Sequence, residues 1–107
     1  MEHRMVVTIS ARHTTVPTTL HDHAERLAKR LDRLDPRAAT MAVSFETRNG
    51  IRGAEARLTA AGGPPMIAHG TGPTYRNALN QAVARIERQL KRRRQRRRQN
   101  RRAAAES

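Results

Sequence analysis

Residues 39–60 read ATMAVSFETRNGIRGAEARLTA and contain two predicted strands with a turn between them. In its first half every second side chain is apolar, which is typical of a strand with one face on a hydrophobic core. The side chains on that predicted inner face are Met41, Val43 and Phe45. Asn49-Gly50 is the dipeptide most typical of a tight hairpin turn. We therefore predict strands over residues 39–48 and 54–60, joined by a turn that extends to Gly53.

Two further elements are predicted before this hairpin. Residues 5–12 (MVVTISAR) alternate in the same way and predict another strand. After Pro17 the apolar residues recur every three or four positions, which predicts an amphipathic helix of about four turns. Thr19 and Asp22 have the spacing of a capping box, and Asp35-Pro36 ends the pattern. The apolar stripe of this helix is Leu20, Ala24, Leu27, Ala28, Leu31 and Leu34.

After the hairpin, the glycines and prolines of residues 62–65 predict a turn, and residues 66–70 a weak edge strand bordered by prolines. A second amphipathic helix follows, and its sequence has no stop signal before an arginine run. Its stripe is Tyr75, Ala78, Leu79, Ala82, Val83, Ile86 and Leu90.

The predicted fold class is α+β, with the order β-α-β-β-β-α. The first helix is a crossover long enough for parallel pairing, and the later strands are joined by hairpins. Since each helix has one apolar stripe, both are predicted to pack on one face of a four-stranded mixed sheet. We assign residues 1–92 to this domain and residues 93–107 to a basic tail that is either a helix extension or disordered.

The charge distribution of the chain indicates which class of molecule it binds. The 107 residues have a net charge of +13. Nine of the twelve residues from Lys91 to Arg102 are Arg or Lys, and Glu106 alone opposes them in residues 91–107. The first 90 residues carry thirteen Lys and Arg against eight Asp and Glu, so the domain is basic too. A run of like charge is either a solvated tail or an interaction tail, and this density favours nucleic acid, where each cation displaces counterions from phosphate.

Other functional classes are disfavoured by what the sequence lacks. It has no cysteine, no apolar run near the ~20 residues of a membrane helix and no signal-peptide pattern, so a soluble, cytoplasmic protein is expected. No nucleophile with a base, phosphate-binding glycine loop or carboxylate pair is present, and we expect no catalysis, cofactor or small-molecule substrate. His21 and His23 point in different directions on a helix, which disfavours a metal site.

Several short motifs resemble one known family, the short ribosome hibernation promoting factors, also called ribosome-associated inhibitors or protein Y. Ala11-Arg12-His13 resembles the Gly-Arg-Asn/His after the family's first strand, followed by Val16 and Leu20 at matching positions. Arg30-Leu31 resembles the Lys-Leu that ends its first helix. Residues 85–91 (RIERQLK) resemble the Lys-Leu-Glu-Arg-Gln-Leu-Arg/Lys of its last helix. The resemblance covers roughly residues 5–92.

The sequence also departs from the family pattern. Residues 74–80 (TYRNALN) replace Asp-x-Tyr-x-Ala-Ile-Asp, so that two acidic positions are neutral and Arg76 stands at the tyrosine position. Leu27 stands where a lysine is usual, and Gly63-Pro64-Pro65 replaces a more regular strand start. Family members end soon after the motif matched by Lys91, so the arginine run resembles an addition to a complete domain.

The resemblance implies a monomeric protein that binds the small ribosomal subunit and its ribosomal RNA between head and body. There it would overlap messenger and transfer RNA and stop translation while the ribosome is preserved under stress. Basic faces on both predicted helices suit RNA phosphates. The residues predicted to bind RNA are Arg12, His13, Arg26, Lys29, Arg30, Arg33, Arg76, Arg85, Arg88, Lys91, Arg92, Arg93 and Arg94.

One alternative stays open on sequence alone, and two others are disfavoured. A general binder of double-stranded or structured RNA, or an RNA chaperone, would share the layout and the charge. A single-strand reader is disfavoured because the chain has one Phe, one Tyr and no Trp for base stacking. Binding of the tail to a membrane surface is also disfavoured, because the segment after Leu90 has no large apolar residue to insert.

Overall fold

The structure is a computed structural model that describes residues 5–12 and 14–106. The predicted order of elements is confirmed. The elements are β1 (Val6–Ala11), α1 (Thr18–Leu34), β2 (Ala38–Arg48), β3 (Ile51–Ala60), β4 (Met66–Gly72) and α2 (Tyr75–Glu106).

The four strands form one sheet in the order β1-β2-β3-β4. β1 and β2 are parallel, with Val7 opposite Met41, and α1 forms the crossover between them. The β2–β3 and β3–β4 pairs are antiparallel. The predicted four-stranded mixed sheet is therefore confirmed, with β1 and β4 at its edges.

Both helices cover the same face of the sheet, as predicted. Alternation buries every second residue of the inner strands, while their neighbours on the opposite face stay exposed. Phe45, Met41 and Leu58 are among the largest fully buried side chains. The helix residues buried against them are Leu20, Ala24, Ala28, Leu31, Ala78, Leu79, Ala82, Val83, Ile86 and Leu90.

The hairpin turn is shorter than the sequence predicted. β3 begins at Ile51, directly opposite Arg48, so the prediction that the turn extends to Gly53 was wrong. Asn49 and Gly50 have φ values of 53° and 76°, and two successive residues in the left-handed region allow pairing to resume at once. Gly53 instead lies within the sheet, opposite Glu46 and Thr71.

The start of α1 also differs from the prediction. The helix begins at Thr18 with Pro17 as its N-cap, and no side chain caps it. Thr19 lies inside the first turn, so it cannot act as the first residue of the predicted capping box. The Pro17 carbonyl accepts hydrogen bonds from the amides of Leu20 and His21, which starts the helical ladder without a hydroxyl cap.

A glycine on β4 lets α2 approach the sheet closely. A Cβ atom at Gly70 would overlap the carbonyl oxygen of Ala78 and lie 2.7 Å from the amide nitrogen of Ala82. Because both contacts are with backbone, a larger residue could not be accommodated by side-chain rotation alone. Gly70 thus fixes how near α2 lies to β4, and so the height at which the basic side chains of α2 stand above the sheet.

Candidate nucleic-acid interface

The solvent side of α2 presents a continuous row of cations. The buried stripe ends at Leu90, but the helix continues to Glu106. On its outer side the basic residues surround an open concavity of about 550 Å³ on the helix surface. Its lining is Arg88, Lys91, Arg92, Arg94, Gln95 and Arg98. Five cations around one concavity form a surface suited to phosphate groups. Arg98 was not among the residues that the sequence predicted for RNA binding.

The basic side of α1 lies beside this row. Arg26, Lys29, Arg30 and Arg33 are all exposed, as the helical pattern predicted. Arg30 donates to both carboxylate oxygens of Glu87 on α2, at 3.2 and 3.1 Å. Glu87 is only 16% exposed while Arg30 is 63% exposed, so this ion pair joins the helices and leaves the outer side of the guanidinium accessible.

The remaining predicted residues lie near the other end of the helices or outside the described chain. Arg76 is exposed at the start of α2, where its guanidinium lies 3.4 Å from Nδ1 of His23. His23 Nε2 is in turn 2.6 Å from Oδ1 of Asn80. Arg12 is exposed directly after β1, and its amide donates to the Phe45 carbonyl. His13 lies outside the residues that the structure describes.

Some polar side chains of α2 form hydrogen bonds with backbone groups of the sheet and its turns. Gln81 accepts a hydrogen bond from the Thr71 amide at 2.8 Å, and Arg85 donates to the His69 carbonyl at 2.5 Å. Gln89 donates to the Ile67 carbonyl at 3.2 Å, and Arg93 to the Pro64 carbonyl at 3.0 Å. These four side chains, spaced four residues apart, satisfy backbone groups along the free edge of β4 and in the turn before it. We call them the edge ladder: Gln81, Arg85, Gln89 and Arg93.

The edge ladder divides the predicted RNA-binding residues into two kinds. Arg85 and Arg93 hold backbone carbonyls of the domain, and Arg94 donates to the Leu34 carbonyl at 2.9 Å. Arg88 and Lys91 line the concavity on the outer side of α2. The sequence contained a signal for the ladder, because Gln and Arg recur every fourth residue beside the apolar stripe and next to a predicted edge strand.

Aromatic side chains are not displayed on this surface. Phe45 is buried, and Tyr75 packs edge-on against it at a ring-centroid distance of 5.5 Å. The Tyr75 hydroxyl lies against the Thr47 hydroxyl, and Arg52 lies 5.8 Å from the centre of its ring. The surface therefore supports recognition of phosphates and shape better than base stacking.

Other kinds of site are not evident in the described part of the chain. Across residues 5–12 and 14–106 no three His, Asp or Glu side chains are grouped so that they could hold a metal ion. Neither α1 nor α2, as far as they are described, has an apolar stretch able to span a bilayer.

The fold and the row of cations define the class of protein: a small α+β domain with a basic helical face. The family model for the Sigma 54 modulation protein / S30EA ribosomal protein matches residues 7–98, nearly the whole chain, and the protein belongs to this family. The match covers the motifs that suggested the family from sequence and passes beyond Lys91 into the arginine run.

Two solved structures share the fold. A ribosomal subunit interface protein from Coxiella burnetii superposes with a TM-score of 0.75 at 12% sequence identity, over 82% of this chain and 96% of that one. The N-terminal domain of Protein Y from Thermus thermophilus gives a TM-score of 0.73 at 22% identity, over 83% and 98% respectively. No curated protein sequence matches the chain.

Proposed function

We propose that the protein binds the small ribosomal subunit through the basic sides of α1 and α2, occupies the decoding channel and inhibits translation without catalysis. The supporting observation is the row of exposed cations on α2 in a chain of the S30EA family. Such a protein would act in the cytoplasm, as a monomer, during ribosome hibernation under stress. Its partner would be folded ribosomal RNA, contacted chiefly at phosphates.

Two contacts support a rigid RNA-binding surface on the domain. α1 and α2 are joined by the Arg30–Glu87 ion pair, and Gly70 sets the distance of α2 from the sheet. The outer cations Arg88 and Lys91 therefore have defined positions relative to those of α1. A folded RNA presents phosphates in a fixed arrangement, and two rigid basic helices can match it without first being ordered.

The test is a sedimentation and translation assay with a matched pair of variants. Arg88→Gln/Lys91→Gln removes two cations from α2, and Arg48→Gln/Arg57→Gln removes two exposed cations from strands β2 and β3. We expect wild type to sediment with small subunits and to inhibit a reconstituted translation reaction. The α2 variant should bind more weakly, and its salt dependence should fall by about 2 in log–log slope, about one per lost phosphate contact. The strand variant should behave as wild type.

General binding of structured RNA is the second candidate, because the arginine run has a charge density that attracts any phosphate backbone. If wild type binds small subunits no better than large subunits, and binds arbitrary duplex RNA equally well, this candidate replaces the ribosomal one. Equal losses in the two double variants would show that total charge, and not the α2 surface, determines binding.

A further inference from the structure

The arginine run of α2 contains two structurally different sets of side chains. Arg93 and Arg97 are partly buried, and with Arg94 they contact the domain. We call Arg93, Arg94 and Arg97 the anchor arginines. Arg92, Arg98 and Arg102 are exposed, and Arg92 and Arg98 line the concavity of α2. We call them the outer arginines.

Two anchor arginines bind the C-terminal end of α1. Arg94 donates to the Leu34 carbonyl at 2.9 Å, and Nη2 of Arg97 lies 4.0 Å from Oδ2 of Asp35. Carbonyls at a helix C-terminus lack intrahelical donors and carry the negative end of the helix dipole, so cations are favourable there. Leu34 and Asp35 together form an acceptor site for the arginine run on the body of the domain.

Asp35 is built into this site. Its residue is 3% exposed, and Oδ1 accepts a hydrogen bond from the Arg37 amide at 3.0 Å. Oδ2 is buried and has no hydrogen-bond donor among the described residues, with Arg97 as its ion-pair partner. A buried carboxylate is costly unless a cation compensates it, so the position of Arg97 is coupled to the stability of the α1–β2 junction.

The third anchor arginine, Arg93, contacts the turn between β3 and β4. Arg93 donates to the Pro64 carbonyl at 3.0 Å, and its guanidinium covers Gly63 so closely that a Cβ there would lie 2.7 Å from Nη1. Gly63-Pro64-Pro65 departs from the family pattern in sequence, and in the structure this turn contacts the arginine run through Arg93.

Without anchors, this segment would be a poor helix. Cations three and four residues apart lie side by side on a helix and repel one another, and Arg94 and Arg98 are one such pair. α2 nevertheless continues to Glu106. The anchor arginines turn three of these charges toward carbonyls and a carboxylate, which lowers the repulsion and fixes the rotation of the helix about its axis.

We infer that the anchor arginines hold the arginine run as a rigid extension of the domain, so that the outer arginines form a phosphate-binding ridge for paired RNA. The inference rests on the proposed function and adds a partner for the tail. From Arg92 to Arg102 the ridge is about 15 Å long at 1.5 Å per residue. A rigid ridge matches phosphates that base pairing already holds in place, whereas a flexible tail would attract any strand.

The test compares two triple variants with the same loss of charge. The anchor variant is Arg93→Gln/Arg94→Gln/Arg97→Gln, and the outer variant is Arg92→Gln/Arg98→Gln/Arg102→Gln. In the free protein, we expect amides of residues 95–102 to exchange at least about tenfold faster in the anchor variant, because local opening no longer breaks tertiary contacts. The outer variant should keep the exchange rates of wild type. Equal exchange in both variants overturns the inference.

Binding to an RNA hairpin and to small subunits gives the second measurement. The outer variant should lose about 2 to 3 in log–log salt slope, since its arginines meet phosphates. The anchor variant should keep a slope within about 1 of wild type, yet bind several-fold more weakly because the segment must be ordered on binding. Equal loss of slope would show a flexible polycation. If wild type has no preference for small subunits, the proposed function fails. The hydrogen-exchange comparison would still test whether the anchor arginines hold the arginine run on the domain.

A single substitution tests the acceptor site itself. Asp35→Asn keeps an oxygen for the Arg37 amide and removes the charge that faces Arg97. We expect faster amide exchange in the segment beyond Arg97 with unchanged circular dichroism of the domain. Unchanged exchange throughout α2 would show that Asp35 does not hold the arginine run.

Discussion

A single glycine on β4, Gly70, has a large effect on the position of the basic surface. Gly70 is buried on β4 and lies under the first turns of α2. Its lack of a side chain lets a backbone–backbone contact form, whereas the other buried residues of β4, Met66 and Ala68, present side chains. Small residues at Ala78 and Ala82 on the facing helix complete this close approach.

We expect Gly70→Ala to destabilise the protein by about 1–3 kcal/mol, the usual cost of overfilling a well-packed core. The new methyl group would overlap the Ala78 carbonyl and push α2 away from β4. Urea unfolding followed by circular dichroism measures the change. Binding to small subunits should also weaken, since the cations of α2 would move relative to those of α1.

Gly53→Ala is the matched control for this prediction. A Cβ at Gly53 would lie 3.6 Å from the Glu46 carbonyl and 3.7 Å from that of Gly70, which are ordinary contacts. The variant should differ from wild type by less than about 1 kcal/mol, with the reduced freedom of the unfolded chain in its favour. Equal destabilisation by the two substitutions would contradict the close approach of α2 at Gly70.

The roles of individual arginines show where sequence reasoning ends. Exposure could be predicted, since the 3.6-residue period separates Arg88 from Ile86 and Leu90. The internal partner of Arg94 could not be predicted, because Arg94 binds a carbonyl 60 residues away. Every residue has a backbone carbonyl, so no residue type marks this acceptor in the sequence. The assignment of Arg93 and Arg94 to RNA contact remains a prediction, and the structure shows that both also bind the domain.

At the scale of elements, α2 protects the edge of the sheet. β4 is an edge strand, and its unpaired backbone groups are a template for pairing with another chain. The edge ladder supplies side-chain partners to the Thr71 amide and to the Ile67 and His69 carbonyls. One helix therefore has three functions on three sides: burial of its apolar stripe, protection of β4, and display of cations.

We expect Gln81→Ala/Gln89→Ala to weaken the β4 edge without altering charge. Two hydrogen bonds to edge backbone would be lost, which should reduce stability by about 1–3 kcal/mol in total. The Thr71 amide should exchange faster with solvent, as measured by NMR, because its acceptor Gln81 is gone. RNA binding at a fixed salt concentration should change little.

Gln95→Ala/Gln99→Ala is the corresponding control, since both glutamines are exposed on the outer side of α2. In this variant the exchange rate of the Thr71 amide and the free energy of unfolding should match those of wild type. If the two double variants have the same Thr71 exchange rate, the edge ladder does not protect β4 in solution.

The helices and strands could largely be predicted because the periodicity of their apolar residues is strong. β2 and both helices follow alternation or the 3.6-residue period without interruption, and all six elements were found. The start of β3 was missed because Gly53 looked like a turn residue, although Asn49-Gly50 alone suffices for the turn. The capping box at Thr19 and Asp22 was predicted but is absent, since the helix begins at Thr18 after Pro17 without a side-chain cap.

For the whole molecule, charge is arranged differently on the two faces. On the open face of the sheet, Arg48 pairs with Glu46 at 3.3 Å, and His69 lies 2.8 Å from Glu55. On the helical face, the net positive charge is displayed around the concavity of α2. A molecule charged in this way is oriented by the field of a polyanion before contact, with α2 leading.

We expect deletion of residues 93–107 to weaken both the domain and its binding to RNA. The Leu34 and Pro64 carbonyls would lose their arginine donors, and buried Asp35 would lose Arg97. This should lower the free energy of unfolding by about 1–3 kcal/mol in urea titration. Affinity for small subunits should fall and its salt dependence should flatten, because Arg98 and Arg102, two of the three outer arginines, are gone.

The preferred site on the small subunit should nevertheless stay the same in the truncated protein, because Arg88, Lys91 and the basic side of α1 remain in place. Chemical footprinting of small subunits with full-length and truncated protein checks this point. A truncated protein as stable as the full chain would contradict the anchoring contacts. If the truncated protein is folded but no longer protects the decoding channel, the arginine run selects the site. The two helix faces alone would then be insufficient to recognise the RNA.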